Sequence, residues 1–263
     1  MPNLQNRGHY PVLIIGTGIA GLTAAFTLAN AGVKVLLVTK ASDPADCNTL
    51  WAQGGIIYQG EGDSPAKLID DILRAGAGIS NQESVQFLAV EGPRVVKQLL
   101  VDNVHVPFST TDEGELDLTR EGAHSVPRII HAGDATGRAI ETTLLQRVKS
   151  EPNITLATEV TAIDLLTTHH HPLDIQVRYR LTNECVGAYL LDNRTNDVYT
   201  IFADYTVLAT GGIGQIYLHT TNTRNSLGDG VVMAHRAGGA HRALLVGRAR
   251  AGVEARGGAR RVE

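Results

Sequence analysis

The chain has 263 residues, 43% of them hydrophobic and 19% charged, with 23 basic against 27 acidic side chains and a formal net charge of −4. That length holds one large domain or two modest ones with a substantial core. The near-balanced charge argues against a general nucleic-acid or membrane-binding surface, and no uninterrupted apolar run reaches the length of a bilayer span. Residues 1–16 are not expected to form a signal peptide, because their short apolar run leads into a glycine turn and not a cleavage site. Cys47 and Cys185 are too few for a disulfide framework and neither has a CxxC partner. This points to a reducing cytosol and away from zinc held by cysteine.

Taken in order, Val12 to Ile15 is a short continuous apolar run ending at Gly16, as in a strand buried on both faces of a parallel sheet. Gly18 to Ala31 is rich in Ala and Leu and predicts a helix closed by Gly32. Val33 to Thr39 predicts a second buried strand, which completes a βαβ unit. Asn48 to Gly62 is a loop with many small residues, and Pro65 to Ala75 and Gln82 to Val101 have helical spacing of apolar positions. Pro107 to Pro127 is polar and irregular. Thr136 to Lys149 predicts a helix with Asp134 as its cap. Ile154 to Leu166 and Ile175 to Phe202 show strand-like runs with turn residues between them, and predict a small antiparallel insertion. Tyr205 to Ala209 predicts one more buried strand, stopped by Gly211-Gly212, and Gly230 to Ala237 the start of another helix. From Ala243 to Glu263 only Ala, Leu, Val, Gly, Arg and Glu occur. Such bias is expected of a disordered or non-native segment, with a basic RNA-binding tail as the other reading.

Gly16-Thr17-Gly18-Ile19-Ala20-Gly21 is a GxGxxG between the first strand and the first helix. The pattern alone is weak, but this context is the one in which it binds a dinucleotide. Gly16 permits the tight turn, Gly18 leaves room for a pyrophosphate, and Gly21 lets helix and strand pack closely. The helix start then offers N–H groups and a positive dipole end to phosphate. A tight turn with no ligand is the bland alternative. The acidic residue expected to hold ribose after the second strand is missing, and Thr39-Lys40 stands there instead. The ribose contact therefore falls to a hydroxyl, a backbone group or the Lys40 side chain, which weakens a plain NAD reading.

Three further segments carry a resemblance. Asn48-Thr49-Leu50-Trp51-Ala52-Gln53-Gly54-Gly55 resembles the T-x-x-A-Q-G-G loop of the fumarate reductase, succinate dehydrogenase and L-aspartate oxidase flavoproteins. In that family the loop lies along the flavin, and its glycines allow close backbone approach. Thr206-Val207-Leu208-Ala209-Thr210-Gly211-Gly212 looks like the family's second FAD-contacting strand and turn, and Gly228-Asp229-Gly230 is similar to its G-D-G element. With the glycine turn, the resemblance runs from residue 12 to about residue 240. It implies FAD as cofactor, with contacts from Gly16 to Gly21, Lys40, Asn48 to Gly55, Thr210, Gly211, Gly212 and Asp229. Membrane-complex members carry a histidine, covalently joined to flavin, where this chain has Asn48, so the resemblance implies FAD held without a covalent bond.

Leu118 to Ser125 and Arg128 to Gly137 are similar to the L-aspartate oxidases in particular. Aspartate differs from succinate by an α-ammonium group. A carboxylate at Glu121 would pair with that cation and repel a purely dianionic substrate. The resemblance implies that Glu121 orients L-aspartate; an exposed loop acid paired with Arg120 or Arg128 is the alternative. His124 and His131 remain open between touching substrate or flavin and making structural hydrogen bonds. His169-His170-His171, before Pro172, is expected to be a solvated loop and not a metal site, Asp134 a helix cap, and Cys47 a packing residue.

The expected architecture is α/β: a Rossmann-like FAD-binding domain over residues 1–241, with a parallel central sheet and a small antiparallel insertion. A divergent tail over 242–263 follows, and the substrate domain is largely missing. The family's H-P-T element and proton-transferring arginine find no match, so a truncated or frameshifted product or an incomplete gene model is expected. The implied activity is oxidation of L-aspartate to iminoaspartate, with oxygen or fumarate reoxidising the flavin and hand-off to quinolinate synthase on the route to NAD. A soluble fumarate reductase or succinate-type flavoprotein, and an inert FAD-binding fragment, are the rival readings. No metal, nucleic-acid or membrane partner is expected.

Overall fold

The computed structural model describes residues 8–169 and 182–239. The expected tail over 242–263, His170, His171 and the strand-like start at Ile175 lie outside them. The described residues fold as two compact units: residues 8–48 with those described from 148 to 239, and residues 49–147.

The first unit is built on a six-stranded mixed sheet. Strands β1 (His9–Ile15), β2 (Val35–Val38) and β6 (Ile154–Ala157) are parallel to one another, and β9 (Val198–Leu208) joins β1 in parallel. With β7 (Val160–Thr167) and β8 (Cys185–Asp192), the order across the sheet is β6-β2-β1-β9-β8-β7. The Val-Leu-Leu-Val run of β2 is fully buried, as continuous apolar composition requires of a strand covered on both faces. Helix α1 (Ile19–Asn30) places Leu22, Ala25, Phe26 and Ala29 at helical spacing and buries them. It ends at Ala31, and Gly32 takes φ +80°, as a terminating glycine does.

The expected antiparallel insertion is instead the other half of the same sheet. β7 and β8 pair antiparallel, as do β8 and β9. The two runs read separately, up to Phe202 and from Tyr205, are one strand. β9 pairs with β8 at its start and with β1 over Phe202–Leu208, so it joins the antiparallel and parallel halves. The expectation of a buried strand at Tyr205 is corrected: Ile201 and Ala203 are buried while Phe202 and Asp204 are exposed, the alternation of a strand with one open face, and Tyr205 beyond them is exposed as well. One core runs through both halves, including Leu13, Leu36, Val38, Leu190 and Ile201.

The second unit holds a three-stranded antiparallel sheet, β3 (Ile56–Ile57), β5 (Ile129–Ile130) and β4 (Leu118–Thr119), which the apolar pattern does not announce. Helix α2 (Pro65–Ala75) starts with Ser64 accepting from the Lys67 amide at 3.4 Å and proline in its first turn. Helix α3 (Gln82–Val95) is capped by Asn81 and runs into a π-helical stretch, Val96–Asn103. Helix α4 (Thr136–Ser150) leads out of this unit. Its first intrahelical bond is accepted by the Ala135 carbonyl, so Ala135 is the cap and Asp134 stands one residue before it. Helix α5 (Asp229–Arg236) closes the described part of the first unit. No helix among the described residues is long and apolar enough to cross a membrane.

Candidate functional site

In the first unit, the glycine turn is a three-way backbone contact. Gly16 has φ +115°, and a β-carbon there would overlap the Ala209 carbonyl beyond β9. A β-carbon on Gly21 would overlap the Gly16 carbonyl oxygen. Both glycines are therefore required by the approach of β1, α1 and β9, whatever binds. Gly16 N–H donates to the Val38 carbonyl at 2.9 Å, and the Thr17 hydroxyl to the Pro44 carbonyl at 2.6 Å. These bonds fix the turn from beneath. Gly18 precedes the helix in extended conformation and no side chain caps it. Ile19 and Ala20 follow as the first helical residues. A helix start with no capping side chain and no β-carbon at Gly18 has the polarity that suits a diphosphate.

The other first-unit positions converge. Lys40, just after β2, donates to Asp229 at 2.5 Å, across 189 residues of chain. A β-carbon on Gly230 would overlap the Thr210 hydroxyl, so the T-G-G turn with Gly211 and Gly212 lies against the start of α5. Gly228 takes φ +82° there. Asn48 is engaged at both ends of its carboxamide: the NH2 group donates to Ser226 Oγ at 2.7 Å, and the carbonyl oxygen accepts from the Thr223 amide at 3.0 Å. It braces the residues that lead into the G-D-G element.

In the second unit, Thr49–Trp51 form a 3-10 turn, with Leu50 in the middle. Gly137 at the start of α4 donates to the Ala52 carbonyl at 2.9 Å, and its missing β-carbon leaves room for the Thr49 carbonyl. The Arg138 guanidinium lies 5.9 Å from the Trp51 ring centre. Gln53 and Gly54 lead to Gly55, where any β-carbon would overlap Ile129 and the Ile130 carbonyl. Glu121 meets this segment: its Oε1 accepts from the Gly55 amide at 3.1 Å. The alternative pairing with Arg128 does not occur, because Arg128 is committed elsewhere.

Sequence reasoning missed that commitment. Arg128 is fully buried; its Nε and Nη2 donate to Asp63 at 2.9 and 2.8 Å, and Nη1 donates to Asp71 at 2.8 Å. Asp71 also accepts from the Ser125 amide and hydroxyl, each at 2.8 Å, and pairs with Arg74. A signal was present: Asp71 shares the apolar face of α2 with Leu68, and a charge on such a face demands a buried partner. His124 faces Arg128 at 3.3 Å and His131 faces Asp117 at 3.3 Å, so each has a structural neighbour.

Burial works against ionisation of Asp71, but the Ser125 hydrogen bonds and the Arg128 bond and charge outweigh it and bring its pKa from 3.8 to about 2. The folded-state pKa is depressed, so this stabilisation is present above about pH 4 and is lost as pH falls through about 2. Melting temperature is expected to drop over that range, and Asp71→Asn to lower stability at neutral pH while flattening the acid limb. An acid limb identical in wild type and variant would show that Asp71 does not drive it.

A model of the FAD binding domain family matches residues 11–249. The chain belongs to that family. The match spans the glycine turn, the Thr206–Gly212 turn and the G-D-G element, and FAD is the cofactor of such a domain. This FAD-binding domain is 42% identical over 233 residues to L-aspartate oxidase 1 of Ralstonia nicotianae, a match covering 88% of this chain and 42% of that protein. It is 40% identical over 242 residues to the L-aspartate oxidase of Acinetobacter baylyi, covering 90% and 42%. The chain thus spans less than half the length of these relatives. Among solved structures it is similar to the Sdh1 complex of Mycobacterium smegmatis in the apo form, with a TM-score of 0.76 and 28% identity over 88% of this chain and 39% of that one. A quinol-fumarate reductase with menaquinol gives 0.75 and 26%, over 88% and 38%. The α/β fold with a mixed sheet is that of the fumarate reductase flavoproteins.

Proposed function

We propose that this chain is the FAD-binding region of an L-aspartate oxidase-type enzyme that oxidises L-aspartate to iminoaspartate. The observation that carries the reading is Glu121, whose carboxylate sits on the backbone of Gly55 in the segment similar to the family's flavin loop. An acid there suits a substrate with an α-ammonium group and disfavours succinate or fumarate. FAD supplies the two-electron acceptor. The chain's residues would orient and neutralise: in the first unit the turn from Gly16 to Gly21 would receive the diphosphate, with Lys40, Asn48, Thr210 to Gly212 and Asp229 as further cofactor contacts, and in the second unit Thr49 to Gly55 would offer its backbone to the flavin. Asn48, whose amide is occupied by Ser226 and Thr223, supports FAD held without a covalent bond. Cys47 and Cys185 are not joined in a disulfide, in keeping with a cytosolic place. Oxygen or fumarate would take the electrons onward, and iminoaspartate would pass to quinolinate synthase.

A turnover assay of the purified protein with FAD tests this, using L-aspartate and fumarate separately. Aspartate oxidation supports the reading. Fumarate reduction without it would favour a fumarate reductase, and FAD retention without either would favour an inert binding module. Glu121→Gln removes the charge and keeps the shape. Losing a charge-assisted contact of about 2–3 kcal/mol lowers kcat/KM for aspartate by roughly 30- to 150-fold and leaves fumarate little changed. Equal loss for both substrates removes Glu121 from the site.

A further inference from the structure

The Glu121 side chain is exposed, yet its place is set from two directions. On one side its Oε1 accepts the Gly55 N–H at 3.1 Å. A β-carbon built on Gly54 would lie 3.0 Å from the same oxygen, so the carboxylate rests directly against the Gly54–Gly55 backbone. On the other side, the turn that bears Glu121 is tied down at Ser125, whose amide and hydroxyl both donate to buried Asp71. Ala123, between them, is held at φ +71°, a conformation a non-glycine residue keeps only when its surroundings impose it. Gly55 is pinned on its far side by Ile129 and Ile130. The Gly54–Gly55 backbone is thus held between the small sheet and one carboxylate.

A carboxylate offers about four lone-pair positions, and the Gly55 bond uses one. The remaining oxygen is available to a cation. The two contacts differ in what they need: the N–H needs only an acceptor oxygen, whereas an ammonium group needs negative charge. We infer that Glu121 is a positioning residue for the cofactor as well as a partner for the substrate: it holds the Gly54–Gly55 backbone in the shape that the flavin meets. This rests on the reading of Thr49 to Gly55 as a flavin segment.

The experiment compares the wild-type chain, Glu121→Gln and Glu121→Leu. Amide hydrogen exchange at Gly55 is measured without FAD, and the flavin absorption maximum and FAD retention after FAD is added. Leucine has no acceptor; it raises Gly55 exchange about fivefold, the size of one ordinary net hydrogen bond, shifts the flavin band and weakens FAD retention. Glutamine keeps an acceptor oxygen and matches wild type in all three. Leucine behaving as wild type overturns the inference, as does glutamine behaving as leucine. Faster exchange with unchanged flavin properties, or with no FAD held, leaves Glu121 as a loop brace only and equally overturns it. Failure of aspartate turnover with these responses intact would overturn the substrate reading alone.

Discussion

Arg128→Leu is expected to lower the stability of the chain by about 3–5 kcal/mol, the usual cost of removing one partner from a buried ion pair. The guanidinium is fully buried and supplies three hydrogen bonds to Asp63 and Asp71, whose side chains are 3% and 4% exposed. Leucine fills much of the volume and leaves two buried carboxylates facing each other across an apolar side chain. Denaturant unfolding monitored by circular dichroism reads the loss. Its cause is read from pH: without Arg128 the Asp71 pKa rises, so mild acid neutralises the orphaned carboxyl and the deficit relative to wild type shrinks on acidification. A deficit independent of pH would assign the loss to packing and not to charge. A deficit below about 1 kcal/mol would place the cluster among ion pairs that contribute little.

Gly21→Val is expected to abolish FAD retention and to destabilise the first unit by at least the ~1–3 kcal/mol typical of overpacking. Any β-carbon at this position overlaps the Gly16 carbonyl oxygen, which is backbone and has no rotamer to escape into. Helix α1 must then move away from the end of β1, and the cradle for the diphosphate opens with it. Gly32→Ala is the control. Gly32 has φ +80° and nothing within 4 Å of a built β-carbon, so alanine there costs only the left-handed strain of ~1–2 kcal/mol and leaves FAD retention intact. Flavin content after gel filtration, set beside the melting temperature, separates the two. Flavin retained by Gly21→Val at wild-type level would show that the turn does not hold the cofactor.

What could be read from the chain was local. The Gly16–Gly21 turn, the Val12–Ile15 and Val35–Val38 runs and α1 are each specified within a few residues, because apolar period and glycine spacing encode them directly. The segments around Asn48, Thr206 and Gly228 were legible as parts of a flavoprotein by resemblance, without any indication of what they touch. The strand boundary near Tyr205 was misplaced because an open sheet face admits polar and exposed residues, which break the continuous apolar signal of a buried strand.

The sequence by itself determined the α/β character, the first βαβ unit, the glycine turn and the family. Tertiary structure alone decided that β9 inserts beside β1 and joins parallel and antiparallel halves, since strand neighbours are chosen by edge pairing and not by local pattern. It alone set Lys40 against Asp229, Arg128 between Asp63 and Asp71, and Glu121 on Gly55. These partners lie 189, 65, 57 and 66 residues apart. A charged side chain announces in sequence that it needs a partner when buried, but which partner it finds depends on how the chain brings distant segments together.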